Sequence, residues 1–359
     1  MGKLKLHVLS GFLGSGKTTA IQLACMAMKN KNVNAAVITN DQGMKLVDSA
    51  FFKAQRIPLR QVVNGCFCCK FQQLETSIQS LIENTGAQTI FAESVGSCTD
   101  IVATVINPLL AYQPDAQLSF SVFADARLLY QMLKGKPPIF EESVNYIFFK
   151  QLEEAGLIVV NKIDLIATEP LNELKKILDK QYPEKSFLFQ NSLNEESIEL
   201  WLDELEQYSK QSKPKPLSID YDIYAAGEAQ LAWVDQELQI NSVGNNAPKE
   251  SVKLLNLIYK KIREAEYAIG HLKFILDDER KISFTASSPI GMKLEMENKK
   301  ANGCKLLINA RVQAKPEAVE LLITDAIKEI EKYTGNKIIS NSLSAFQPGY
   351  PRPTHRMAT

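Results

Sequence analysis

Residues 11–18 read Gly-Phe-Leu-Gly-Ser-Gly-Lys-Thr, preceded by a short apolar run, Lys5–Ser10, and followed by a helix-patterned stretch, Thr18–Lys29. Few segments restrict a chain so tightly. Glycines at 11, 14 and 16 admit backbone angles closed to other residues, and they remove Cβ atoms that would fill the turn. Backbone N–H groups between the predicted strand and helix can then converge on one point, where the positive end of the helix also aims. A concave, positive turn of this kind suits an anion of phosphate size. It also commits the chain to strand–helix layering, because a helix leaving a buried strand must return across a sheet.

The rest of the first half agrees. Ala35–Thr39, Thr89–Ala92, Ser119–Ala124 and Leu157–Val160 read as strands, the last wholly apolar, as in a parallel strand buried on both faces. Helical patterns follow at Leu171–Gln181 and Ser197–Tyr208. We expect an α/β fold with a doubly wound, mostly parallel sheet that binds ligands at the C-terminal ends of its strands. Ser209–Pro216, with two prolines and three lysines, reads as a linker. Beyond it Ala229–Ile240, His271–Asp277, Lys281–Ser287 and Cys304–Gln313 are strand-like, and Ser251–Ala268 and Glu317–Tyr333 are helical. The expected division is a first domain at 1–210, a linker at 211–217, a smaller C-terminal α+β domain at 218–345, and an extended or disordered, proline-rich tail at 346–359.

Composition narrows the function. The 359 residues carry 41 basic and 41 acidic side chains, so the net charge is zero, which argues against a nucleic-acid partner or a polybasic membrane surface. No apolar run approaches the roughly 18 residues that cross a bilayer. His7 interrupts the apolar N-terminus, and Leu6 stands where an acylation signal at Met1-Gly2 would want Ser or Thr. The expectation is a cytoplasmic chain with no membrane partner, whose six cysteines are reduced and open to metal or redox chemistry.

Gly11-x4-Gly16-Lys17-Thr18 is a complete P-loop in the strand-to-helix context it requires. Lys17 would reach the β- and γ-phosphates of a nucleotide, and the Thr18 hydroxyl would ligate Mg²⁺. Gly11, Gly14, Ser15, Gly16 and Thr19 complete the phosphate cradle. Asn161-Lys162-Ile163-Asp164 follows the apolar strand, 145 residues beyond Lys17. The Asp164 carboxylate can accept two parallel hydrogen bonds from guanine, whereas adenine would leave it desolvated and unpaired. Asn161 would brace the loop and the Lys162 stem would cover the base. GTP is therefore preferred over ATP. Glu93-Ser94-Val95-Gly96 closes another strand and would set Glu93 beside Mg²⁺ and Gly96 at the γ-phosphate. Asn40-Asp41-Gln42-Gly43 occupies the place of a first switch, with Asp41 as a candidate Mg²⁺ or switch residue.

Between these two segments lies Asn64-Gly65-Cys66-Phe67-Cys68-Cys69. Three thiols within four residues fit disulfide geometry poorly, but suit a thiolate site for Zn²⁺ or Co²⁺. Three ligands from one loop leave a tetrahedral ion one short, which favours an exchangeable transfer site over a structural one. A buried apolar cluster and a redox switch are the competing readings. Cys98, just past Gly96, reads as a core or switch residue rather than a ligand. Cys25 and Cys304 read as packing residues, and His7 and His271 as structural.

The order of these motifs, GFLGSGKTT, NDQG, GCFCC, ESVG and NKID, resembles the CobW family of metal-handling GTPases, relatives of UreG and HypB. The resemblance implies slow, regulatory GTP hydrolysis that uses Lys17, Thr18 and Glu93. It also implies delivery of a transition metal from Cys66, Cys68 and Cys69 to a client metalloprotein or a cofactor-biosynthesis enzyme, and leaves room for a nucleotide-dependent homodimer. GHLK at the second domain resembles a segment of the family's C-terminal domain. The chain has Asp41 where the family usually has Glu, and no His-rich stretch, so the thiols are the main ligands. Two other functions compete: a GTP-gated assembly or activation factor with a purely structural metal, and a small-molecule kinase, against which Asn161–Asp164 counts.

Overall fold

The computed structural model describes residues 3–43, 47–134, 138–211, 214–289 and 299–358. Met1-Gly2 and part of the expected linker (212–213) lie outside them. The chain forms two compact units. One comprises Met1–Gln42, Arg56–Gly227 and Tyr350–Thr359, and the other Gly43–Gln55 and Glu228–Gly349. This division is not a single cut. A short segment after the second strand belongs with the C-terminal sheet, and the last ten residues return to the first unit.

The first unit is built on a seven-stranded parallel sheet. Its strands are β1 (Lys5–Gly11), β2 (Ala35–Asn40), β3 (Leu59–Val62), β4 (Thr89–Glu93), β5 (Gln117–Asp125), β6 (Leu157–Asn161) and β7 (Ser186–Gln190), in the spatial order β3-β2-β4-β1-β5-β6-β7. The order reverses at β1, so right-handed connections run over both faces and a crevice opens at the C-terminal end of β1. The motif residues collect there, because each follows the last apolar position of a strand. Helix α1 (Lys17–Asn30) buries Ala20, Ile21, Ala24, Cys25 and Met28, so Cys25 is a packing residue as its helical spacing implied. Burial pushes its thiol up to about 12, an inert group. Trp201 is fully buried with its ring 5.2 Å from that of Phe123 and 5.9 Å from that of Phe91, closing the core over the sheet. Among the described residues no helix is long and apolar enough to cross a membrane.

In the second unit five strands form one antiparallel sheet. They are β8 (Leu231–Asn241), β9 (Ala268–Leu276), β10 (Arg280–Phe284), β11 (Gly303–Gln313) and β12 (Lys337–Phe346), in the order β10-β9-β11-β8-β12. Two helices, Ala247–Glu264 and Pro316–Thr334, bury Leu254, Leu255, Ile258, Val319 and Ile323 in one apolar core with strand residues such as Phe274, Leu306 and Ile308. The helix α2 (Val47–Ala54), from early in the sequence, packs Val47 against Ile275 and Leu307 in a separate small cluster of this unit.

Candidate nucleotide and thiol site

The P-loop runs from the end of β1 to the start of α1. Gly16 has φ +96°, and a Cβ there would stand 2.3 Å from Asn161 Nδ2, so both the angle and the space demand glycine. Asn161 ends β6, donates from Nδ2 to Ser15 O at 2.8 Å, and accepts from Ser192 Oγ at 2.7 Å through Oδ1. It ties the P-loop to the segment after β7. Lys162 adopts a left-handed angle, φ +63°. Its Nζ donates to Gly14 O at 2.6 Å and to Asp125 Oδ2 at 2.9 Å. Asp164 lies in a short 3₁₀ turn and is exposed, open to a ligand from solvent.

Lys17 is buried and donates to Gly11 O at 2.5 Å. The first helical residues bring Thr18 Oγ1 to 2.9 Å from Glu93 Oε1, so the hydroxyl and the carboxylate that sequence spacing assigned to Mg²⁺ are in contact. Ser15 Oγ is buried with no hydrogen-bond partner among the described residues, an orphaned donor at the centre of the loop. An orphaned hydroxyl, an ammonium, and a turn cleared of Cβ atoms fit a phosphate chain, and Thr18 with Glu93 fits a hard cation beside it. Gly96 closes the other wall: a Cβ on it would lie 3.0 Å from Leu13 N and 3.1 Å from Leu13 Cα, so this strand end lies directly against the P-loop.

The thiol loop follows β3. Gly65, at φ +147°, turns the chain so that Cys66 starts a tight bend in which Cys69 N and Lys70 N donate to Cys66 O at 3.1 and 2.9 Å. Helix α3 (Phe71–Thr85) begins immediately afterwards. The bend brings Cys66 Sγ and Cys69 Sγ to 3.2 Å and Cys68 Sγ and Cys69 Sγ to 3.8 Å. All three sulfurs lie within 4.8 Å of one another, and Cys66 and Cys68 are buried. Sulfurs on a tetrahedral zinc ion stand about 3.8 Å apart, given Zn–S bonds of about 2.3 Å, so the cluster fits such an ion with little movement. Hydrogen bonds from the Cys68, Cys69 and Cys98 thiols hold Cys66 well below the usual thiol range, against the effect of burial. Cys68 is pushed well above it and Cys69 up to about 11, both chiefly through hydrogen bonding with Cys66.

Asn40, the last residue of β2, holds this loop. Its Nδ2 donates to Val62 O at 3.0 Å and Gly65 O at 2.7 Å, while its Oδ1 accepts from Phe67 N at 2.7 Å. Asp41 follows, with its N–H on Val62 O at 3.2 Å. The end of β2 and the thiol loop are therefore bonded directly to each other.

The sequence pattern of the CobW/HypB/UreG nucleotide-binding domain matches residues 5–189, just over half of the chain. The chain belongs to the CobW/HypB/UreG family. Among curated relatives it is 28% identical over 176 residues to the zinc chaperone YeiR of Escherichia coli, covering 48% of this chain and 50% of that protein. It is 26% identical over 217 residues to the zinc-regulated GTPase metalloprotein activator 1 of Dictyostelium discoideum, covering 52% and 45%. The matched region thus spans about half the length of each relative. Among solved structures, HypB from Helicobacter pylori in complex with nickel aligns with a TM-score of 0.43 and 18% identity, over 60% of this chain and 92% of that one.

Several residues of this CobW-family site carry no recognisable motif. Asp125 ends β5, caps the next helix by accepting from Arg127 N at 3.0 Å and Leu128 N at 3.2 Å, and anchors Lys162. Ser192 orients Asn161. Both are polar residues at strand ends of a parallel sheet, a signal available from the strand pattern once β5 and β7 are located. The C-terminal segment gave no such signal. Arg352 N donates to Cys69 Sγ at 3.3 Å, and Thr354 N donates to Cys68 O at 2.8 Å. The His355 ring packs edge-on against Phe71 at 5.2 Å, and Arg356 Nε donates to Asp100 Oδ2 at 2.8 Å. Residues 350–358 have no helix or strand, and bonds from Arg352 and Thr354 hold this segment against the thiol loop.

Proposed function

We propose that this protein is a GTP-hydrolysing metallochaperone that binds Zn²⁺ or Co²⁺ at Cys66, Cys68 and Cys69 and delivers it to a client metalloprotein or cofactor-biosynthesis enzyme. The observation that carries the reading is the Asn40 clamp. A residue at the end of β2, adjoining Asp41, holds the entry of the loop that presents three clustered thiols and the backbone of Phe67 within it. In this reading Asp164 selects guanine, Lys17 and the N-terminal end of α1 neutralise the phosphates, and Thr18 and Glu93 hold Mg²⁺. When bound, Mg²⁺ neutralises charge that develops on the phosphates during hydrolysis. Gly96 and the segment Asn40–Gly43 sense the γ-phosphate, and their release after hydrolysis would shift Asn40 and loosen the thiol loop. Hydrolysis is slow and regulatory, and a homodimer that forms with bound nucleotide belongs to the same proposal, as does a nucleotide domain at 1–210 joined through 211–217 to the α+β domain. The names of the relatives support zinc as the first cargo to test.

The test is competition for Zn²⁺ between the protein and a chromophoric chelator, run once with a non-hydrolysable GTP analogue and once with GDP. We expect one equivalent of Zn²⁺ per chain and affinities that differ between the two states by about tenfold, which is about 1.4 kcal/mol of coupling. Equal affinities would remove the nucleotide–metal coupling, and no binding would remove the metallochaperone reading itself.

A further inference from the structure

Residues 350–358 belong to the unit that holds the thiol loop, and they are held there as a bound peptide is held, chiefly through their backbone. Arg352 N donates to Cys69 Sγ at 3.3 Å and Thr354 N to Cys68 O at 2.8 Å, with Thr354 Oγ1 on Cys69 O at 3.2 Å. Further along, both backbone groups of Met357 are engaged: its N–H donates to Ala103 O at 2.8 Å, and its carbonyl accepts from Asn107 Nδ2 at 2.8 Å. The acceptor at Ala103 has a local cause. Residues Val102–Ile106 are π-helical, and Asn107 N reaches back five residues to Val102 O. The next bond of that ladder would join Ala103 O to residue 108, a proline with no N–H to give. The helix therefore presents an open carbonyl on its side, and an extended chain fills it.

Two side chains add selectivity. Arg356 Nε donates at 2.8 Å to Asp100 Oδ2, on a carboxylate that is 1% exposed and also accepts from Tyr221 OH. The preceding His355 sets its ring 5.2 Å from that of Phe71 and 5.8 Å from that of Tyr112. Arg352, Thr354 and Met357 are exposed, and among the described residues of the segment Pro351 alone is buried. A segment fixed by backbone bonds and one ion pair gives up little apolar contact on leaving, so it can open while the sheet beneath stays folded. Prolines 351 and 353 keep the freed segment near its extended form, which lowers the cost of binding again. A seat that engages backbone groups, one ring and one arginine accepts any extended segment of that chemistry. We infer that residues 350–358 are the resident occupant of a peptide-binding seat, and that an extended segment of the receiving protein, presenting a planar ring followed by an arginine, displaces them. The seat stands on the bonds just described, and its use in delivery rests on the metal-binding reading above. The incoming segment runs beside Cys68 and Cys69, which brings the receiving protein's own ligands to the metal.

The experiment uses the chain with residues 350–359 deleted and a fluorescein-labelled synthetic peptide of the sequence Tyr350–Thr359, followed by fluorescence anisotropy on reduced, metal-free protein. The peptide is expected to bind the deletion variant with a Kd of about 0.1 mM or tighter, and the intact chain at least about tenfold more weakly, because there the seat is filled. On the deletion variant, a peptide carrying Arg356→Ala should bind about tenfold more weakly, and a scrambled peptide should not bind. Absence of binding to the deletion variant, or equal binding to both proteins, would overturn the seat and leave the three-thiol site standing. With Zn²⁺ loaded, transfer of the metal to a chromophoric chelator should be several-fold faster from the deletion variant than from the intact chain, and free peptide should slow it again. Transfer rates that coincide would overturn the role in delivery. A chain that binds no Zn²⁺ would remove the metallochaperone reading and that role with it, while the anisotropy result still decides the seat. Should the deletion variant fail to fold, full-length Arg356→Ala takes its place: it should bind the peptide several-fold more tightly than the wild type, and equal binding would overturn the seat.

Discussion

Single residues at the strand ends make this site, and each does so by being polar where its neighbours are apolar. Asn161 spends both ends of its amide on bracing, one on the P-loop and one on Ser192, which leaves Asp164 as the exposed member of the motif. Asn40 does the same for the thiol loop. A buried polar residue can also carry a cost that depends on pH, and His7 in the middle of the sheet is the clearest case. Its Nδ1 is 2.7 Å from Ser119 Oγ, and its ring is 5.2 Å from that of Phe91. Burial first, and the charge of Lys5 second, pull its pKa down to about 3. The unfolded chain takes up this proton below about 6.5, whereas the folded chain resists until about 3, so stability is lost as the pH falls through that window. At pH 5 the loss attributable to His7 is about 2 kcal/mol. Urea unfolding of wild type and His7→Phe between pH 7 and pH 4 measures it: the variant should lose distinctly less stability over that range. Parallel pH profiles would show that His7 is not the group that titrates. The structural role expected of His7 was legible from its place in an apolar strand; its partner, Ser119, was not, because the pairing of β1 with β5 joins residues 112 apart.

Elements show where sequence reading succeeds and where it stops. The central strands β1, β2, β4, β5 and β6 and the helix α1 announce themselves, since burial on both faces demands an unbroken apolar run and the P-loop fixes the junction. The edge strands do not. Leu59–Val62 and Ser186–Gln190 lie at the two ends of the parallel sheet and are only partly buried, so neither needs such a run. Lys337–Phe346, at the edge of the other sheet, is mostly exposed and is assigned no element from the sequence. Helix α2 is a stronger case, because its eight residues are held by ion pairs formed far along the chain. Asp48 receives Lys273 Nζ at 2.5 Å and Lys281 Nζ at 2.6 Å, and Val47 N donates to Asn309 Oδ1 at 2.7 Å. Burial alone would raise the Asp48 carboxyl, yet the two ammonium groups hold it far below its ordinary range. Asp48→Asn would leave two little-exposed lysines facing each other without the shared carboxylate. We expect a loss of about 2–3 kcal/mol, seen as a lower urea midpoint for the unit that contains these residues. Hydrogen exchange should show residues 47–54 losing protection first. A midpoint unchanged by the substitution would mean that the apolar contacts of Val47 and Phe51 suffice to hold α2.

At the scale of the whole chain the informative feature is the path it takes. After the second sheet is complete the chain does not stop; its last ten residues rejoin the unit that holds the P-loop. Composition predicted an extended or disordered tail, with prolines at 348, 351 and 353 that disfavour helix. What composition could not indicate is that an extended strand exposes every backbone N–H and C=O, so it bonds wherever unpaired partners lie. Here the partners lie along the thiol loop and the Cys98 turn. Arg352 N reaches Cys69 Sγ, Thr354 reaches the Cys68 and Cys69 carbonyls, and Arg356 pairs with Asp100, two residues past Cys98. Asp100 is 1% exposed and also accepts from Tyr221 OH at 2.6 Å, so its carboxylate is a deep anchor for the tail, and Met357 N adds a bond to Ala103 O at 2.8 Å. Arg356→Ala removes the anchor's charged partner, and deletion of residues 350–359 removes the whole segment. Cys69, the most exposed of the three thiols, loses its backbone donor and part of its cover in the deletion, and in Arg356→Ala the segment that supplies them is held less firmly. The rate of its alkylation by iodoacetamide, read by mass spectrometry of the intact reduced protein, should therefore rise several-fold in Arg356→Ala and further in the deletion, while nucleotide binding at the P-loop is unchanged. If the tail contributes nothing to the thiol loop, the alkylation rates of all three proteins will coincide.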